Sequence, residues 1–118
     1  MTKSLDDMET LFKALADATR LRILGLLLTG EVCVCHMHES LKIPQPKASR
    51  HLAYLRRAEL VVARKEGQWT HYGLAPARSP FQKKLLECLS NCFDEVPEIQ
   101  KDATRAAKVR KAGGCCPR

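Results

Sequence analysis

Pro44 places the tightest limit on what this chain can become. The residue before a proline is pushed out of the α region, so no helix runs through Ile43, and residues 34–59 are cut in two around Lys42-Ile43-Pro44. The first piece predicts a short helix from about Val34 to Leu41. The second, Gln45 to Glu59, accepts Pro46 in its first turn and gathers Ala48, Leu52 and Leu55 on one face, leaving Lys47, Ser49, Arg50 and Tyr54 to point elsewhere. Two short helices about a tight turn form a helix-turn-helix candidate.

The flanking segments fit that centre. Leu5, Met8, Leu11, Phe12 and Leu15 recur at spacings of three and four, the stripe of an amphipathic helix. Asp17 is a capping residue for a second helix carrying Leu21, Ile23, Leu24, Leu27 and Leu28, and Gly30 is its stop signal. Leu60 to Lys65 and Gln68 to Leu74 are β-rich runs on either side of Glu66-Gly67, a wing-like hairpin. Helical periodicity returns at Phe81, Leu85, Cys88, Leu89, Cys92 and Phe93 and ends before Pro97. The order is α-α-α-α-β-β-α: an α+β, mainly helical winged helix-turn-helix. Beyond it, 99–111 suits a polar helix, and Gly113 to Arg118 reads as a flexible end.

A chain of 118 residues fits one domain with a real core. Its net charge of +7 favours a polyanionic partner, although charge alone does not separate nucleic acid from an anionic membrane surface. Distribution is more telling. Lys42, Lys47, Arg50, Arg56 and Arg57 fall in 42–57 with no acidic residue among them, whereas Lys101, Arg105, Lys108, Arg110 and Lys111 read as a solvated face. No apolar run approaches the roughly 20 residues of a bilayer span. The acidic start, Met1 to Asp7, lacks a signal-peptide layout. We therefore expect a cytoplasmic protein with no membrane partner. The six cysteines, at 33, 35, 88, 92, 115 and 116, form three close pairs, and in a reducing cytosol they are thiols available as soft ligands.

Glu31-Val32-Cys33-Val34-Cys35 followed by Gln45-Pro46-Lys47-Ala48-Ser49-Arg50-His51-Leu52 closely resembles the ArsR/SmtB metalloregulatory repressors. The stretch Arg64 to Tyr72 is similar to the wing of their arsenical-resistance members. The resemblance covers about Leu11 to Pro76, with three motifs in order. It implies a homodimer that binds double-stranded operator DNA without any cofactor and leaves it when an ion binds, with the first and last long helices at the dimer interface. It also implies an ion site at Cys33 and Cys35 and a recognition helix from Gln45 to Arg57. Residues 1–97 would then be the DNA-binding and dimerisation domain, and 98–118 a polar extension ending in two cysteines. One departure matters. Arsenical-resistance members often carry a third cysteine soon after the pair, where this chain has His36, Met37 and His38, which leaves the third ligand open.

Thiolate is a soft donor, so a cysteine pair selects soft ions over magnesium or calcium. As(III) or Sb(III) is the leading inducer; a cadmium, lead or zinc repressor of the same fold is the alternative. On its own Cys-x-Cys is a weak signal, because buried cysteines commonly act as small hydrophobes. If both cysteines start the third helix, they stand about 200° apart around its axis. Chelation should then unwind that turn and pass the distortion to the recognition helix. Cys115 and Cys116 either add ligands or are exposed thiols on a free end. Cys88 and Cys92 fit interface packing better than an ion site, and His36 and His38 read as exposed helix residues. For DNA, Gln45, Lys47, Ser49, Arg50 and His51 would meet bases or phosphates, with Tyr54 and Arg57 further along, while Arg64, Lys65, Gln68 and His71 of the wing follow the backbone or minor groove. A thiol-based arsenic-handling enzyme is a remote alternative: no cysteine sits in a phosphate-cradling loop, and no acid and base accompany the thiols.

Overall fold

The computed structural model describes residues 4–112. Helix α1, Leu5–Leu15, begins where the Ser4 hydroxyl accepts the Asp7 N–H at 3.2 Å, and Asp6 and Asp7 place negative charge against the helix dipole. Helix α2, Ala18–Leu27, is capped by Asp17, which accepts the Arg20 N–H at 3.0 Å, as the sequence predicts. Two extended residues, Val32–Cys33, form β1 and lead straight into α3, Val34–Leu41. Lys42 then closes α3 in the left-handed region at φ 57°. The chain turns through Ile43 and Pro44 into α4, Gln45–Arg57. Strands β2, Val61–Glu66, and β3, Trp69–Leu74, make the wing, closed at Gly67 with φ 63°. Helix α5, Pro80–Cys92, a 3-10 turn at Phe93–Glu95 and α6, Pro97–Lys111, complete the fold.

The core is built around α2. Its Ile23, Leu24, Leu26 and Leu27 are buried against Leu11 and Leu15 of α1, Met37 and Leu41 of α3, and Leu52 and Leu55 of α4. Each such side chain contributes about 1.5–3 kcal/mol by leaving water, so the helix-turn-helix is fixed from behind while the opposite face of α4 stays open. The architecture is a winged helix-turn-helix, mainly helical, with one antiparallel sheet in the order β1-β3-β2. No helix among the described residues is long and apolar enough to cross a membrane.

Two elements differ from the expected order. Strand β1 is extra: it pairs Val32 with Tyr72 and Cys33 with His71 of β3, and two residues are too few to show an alternating pattern. Helix α6 lies in the segment set apart above as an extension, yet it packs on α2 and α3. Its Ile99 is buried against Gly25, where an added Cβ would come within 2.8 Å of Ile99 Cγ2. Its Asp102 is wholly buried. That carboxylate accepts from Arg22 at 2.8 and 2.9 Å and from Arg105 at 2.7 Å. The same two arginines cap the end of α3, Arg22 donating to the Leu41 carbonyl at 2.8 Å and Arg105 to that of Ser40 at 2.7 Å.

Candidate metal centre and nucleic-acid interface

Cys33 and Cys35 straddle the boundary between β1 and α3. Cys33 is the residue before the helix, with extended backbone at φ −72° and ψ 143°, and Cys35 lies in the first turn. Both are buried beneath Trp69, and their sulfurs are 3.2 Å apart. This corrects the expectation that the pair is held apart. The 200° separation applies only when both residues are helical; with Cys33 extended, the side chains converge, and no turn needs to unwind for them to share an ion.

A cleft of about 320 Å³ opens beside Cys33, between α3, the wing and the last turns of α6. His36 lines it and is 7 % exposed, so it is not the exposed helix residue expected. His38 is half-buried, its Nδ1 3.3 Å from the Ile43 carbonyl. His71 also departs from its predicted place. Opposite Cys33 in the sheet, it is 8 % exposed and lines the cleft, which removes it from the wing's outer surface. Its Nε2 is buried without a hydrogen bond; the Glu66 carboxylate stands 3.5 Å away, an ion-pair distance if the ring is protonated. Arg64 is engaged too, donating to both Glu31 oxygens at 3.0 and 2.6 Å and to Glu66 at 3.2 Å. Lys65 and Gln68 remain exposed on the wing.

Among the described residues no group of three histidine, cysteine or acidic side chains is close enough to hold an ion. Cys115 and Cys116 lie outside the described residues. Cys88 and Cys92 are exposed on α5. Their mutual hydrogen bond and charge push the Cys92 thiol up, making it a poor thiolate at neutral pH.

On α4, Gln45, Arg50 and Arg57 are exposed, and Lys47 and Ser49 half-buried. His51 and Tyr54 are turned toward Arg20, a residue the sequence did not single out. The Arg20 guanidinium donates to the carbonyls of Ala14 and Lys13 at 2.8 and 2.9 Å, lies 4.0 Å over the Tyr54 ring and stands 3.4 Å from His51 Nδ1. Because arginine only donates, Nδ1 accepts and the neutral ring carries its proton on Nε2. Burial, together with Arg20, Lys47 and Arg50, holds the His51 imidazole below its ordinary value, against the opposing pull of Asp17. Arg20 thus locks α4 to α1 and α2 through the two side chains expected at the DNA surface.

Comparison with known proteins agrees with this geometry. The family model described as "Bacterial regulatory protein, arsR family" matches residues 17–62, which run from the α2 cap through the helix-turn-helix. The chain is 46 % identical over 86 residues to the arsenical resistance operon repressor of Escherichia coli K12, covering 72 % of this chain and 74 % of the relative. It is 41 % identical over 112 residues to the arsenical resistance operon repressor of Staphylococcus xylosus, covering 95 % of this chain and 99 % of the relative. Among solved structures, the homodimeric winged helix-turn-helix DNA-binding domain Mb0332 of Mycobacterium bovis matches with a TM-score of 0.65 and 33 % identity, over 80 % of this chain and 84 % of that one. The chain belongs to the arsR family: it is a winged-helix transcriptional repressor and not an enzyme.

Proposed function

We propose that this repressor answers to arsenite or antimonite, binding operator DNA as a homodimer and leaving it when, in the reduced protein, the Cys33 and Cys35 thiolates take the metalloid. The observation that carries the reading is the 3.2 Å gap between the two sulfurs. With metal–sulfur bonds of about 2.3 Å, that gap subtends close to 90° at the ion, whereas a tetrahedral zinc centre would hold its sulfurs ~3.8 Å apart. Trivalent arsenic and antimony bond through p orbitals near right angles, so the pair suits them better. The printed names of the Escherichia coli and Staphylococcus xylosus relatives point the same way.

Position supplies the switch. Cys33 is paired with His71 in the sheet and also begins α3, so an ion that shifts it disturbs the wing and the helix-turn-helix together. The ligand then favours whichever arrangement holds its sulfurs best. Gln45, Lys47, Ser49, Arg50 and Arg57 of α4, with Lys65 and Gln68 of the wing, face the DNA, in half-sites about 34 Å apart on a palindrome. No cofactor is needed for that contact. Helices α1 and α5 form the dimer interface: Leu5 and Phe12 are exposed on α1, and Phe12 meets Phe81 of α5 edge to face at 5.7 Å. The protein works in the cytoplasm, without a membrane.

The test is operator release from the reduced protein. Arsenite and antimonite should release DNA where cadmium and zinc do not, and Cys33→Ser or Cys35→Ser should keep operator affinity and lose release. Release by cadmium alone would transfer the reading to a divalent-ion repressor, and release surviving in both variants would place the sensor elsewhere.

A further inference from the structure

A pyramidal metalloid held by two thiolates keeps a third position, and among the described residues no third histidine, cysteine or acidic side chain stands close enough to complete a ligand set. Resting on the Cys33–Cys35 reading, we propose that the third position stays a hydroxyl, lodged in the cleft beside Cys33, and that His71 recognises it through a hydrogen bond at Nε2.

Register, burial and an unmet hydrogen bond converge on His71. It is the cross-strand partner of Cys33 in the β1–β3 ladder, and residues directly opposite in an antiparallel pair share one face of the sheet, their Cβ atoms about 4.5–5.5 Å apart. The imidazole and the thiol therefore stand side by side, and both line the cleft of about 320 Å³. His71 is 8 % exposed, and its Nε2 is buried without a hydrogen bond, an exception among buried polar groups that a ligand atom would remove. A hydroxyl suits either state of that nitrogen because it both donates and accepts, whereas a thiolate only accepts. Glu66, its carboxylate 3.5 Å from Nε2, and Ser40 line the same cleft, so the space suits a hydroxyl better than a carbon substituent.

The chemistry is exchange without oxidation. Arsenous acid, As(OH)₃, gives up two of its hydroxyls: each time an S–As bond forms, an As–O bond breaks, and the departing hydroxide leaves as water with the thiol proton. Two exchanges release two waters and give (RS)₂As–OH, whose remaining hydroxyl meets His71. Methylarsonous acid, CH₃As(OH)₂, undergoes the same two exchanges and ends as (RS)₂As–CH₃, with a methyl group that neither donates nor accepts. The two ligands thus separate the hydrogen bond from the sulfur chemistry.

The test titrates full-length reduced protein with arsenite and with methylarsonous acid, following Trp69, which packs on both cysteines, and counts sulfurs and oxygens by arsenic-edge X-ray absorption. Arsenite on the wild type should show two sulfurs and one oxygen. His71→Leu should weaken arsenite about 3–10-fold, the worth of one hydrogen bond, and leave methylarsonous acid at its wild-type affinity. His71→Gln, whose amide keeps a donor and an acceptor, should recover part of the arsenite loss. Equal loss of both ligands in His71→Leu would mean that His71 serves packing alone; that result, no loss of arsenite, or three sulfurs in the wild type would overturn the proposal and leave the Cys33–Cys35 reading standing. A Cys33→Ser/Cys35→Ser variant that binds arsenite at full strength would instead defeat the underlying reading.

Discussion

His51 sits midway along α4, in the sequence motif that resembles a DNA-contacting helix, yet its ring faces Arg20 and Asp17. A basic helix announces its charge in the sequence, but which flank packs against α2 depends on an arginine 31 residues upstream, and no local pattern encodes that. The consequence is a pH dependence. His51 is held below its unfolded value of 6.5, so the unfolded chain takes up its proton first. The stabilising contribution is complete above about pH 6.5 and is lost as pH falls through 6.5 toward the folded value. Asp17 is lowered as well: its N-cap bond to Arg20 and the nearby charges outweigh burial, which alone would raise it. Its contribution is present above 3.8 and lost only below that, so the two windows separate. The unfolding midpoint should drop between pH 7 and 5, and His51→Gln should flatten that part of the profile while leaving the loss below pH 4 unchanged. A profile identical in the variant would show that His51 carries no share of it.

At the level of elements, long periodic segments were legible, and the third helix stands at the bounds expected of it, Val34–Leu41. Helices α1, α2, α4 and α5 and the wing each show a recurring apolar face or a turn signal. Strand β1 is visible only through its partner, and shifting the β1–α3 boundary by one residue decides whether the two sulfurs diverge or meet; helix ends are uncertain by that much in any pattern reading. Helix α6 looked like solvated charge because its inward face consists largely of Ile99 and an aspartate. The α2–α6 contact gives a sharp test. Gly25→Ala gains up to about 1 kcal/mol of helix propensity, but the new methyl would lie 2.8 Å from Ile99 Cγ2, and overpacking of this kind costs about 1–3 kcal/mol. Gly25→Ala should therefore lower the urea midpoint, and the Gly25→Ala/Ile99→Ala pair should be more stable than the two single losses added together. Simple additivity would mean that α6 does not rest in that notch.

For the whole molecule, the question is how a pull on two sulfurs reaches the DNA. Helix α3 has the proposed ion site at one end and the Pro44 turn into α4 at the other, where Asp102, through Arg22 and Arg105, fixes the Ser40 and Leu41 carbonyls to α6. A helix anchored at its far end transmits a shift; a loose one absorbs it. If arsenite is the inducer, as proposed, coupling is reciprocal, and saturating operator must weaken arsenite binding by the same factor that arsenite weakens operator binding, typically ~5–150-fold. The single tryptophan, Trp69, packs on Cys33 and Cys35, so its fluorescence reports the metalloid while anisotropy of a labelled operator reports DNA. We expect the two factors to agree in the wild type. In Asp102→Asn, arsenite affinity without DNA should stay near the wild-type value while the coupling factor shrinks, since a neutral amide holds the two arginines less tightly. Arsenite affinity indifferent to operator in the wild type would mean that the cysteine pair binds metalloid without governing the DNA.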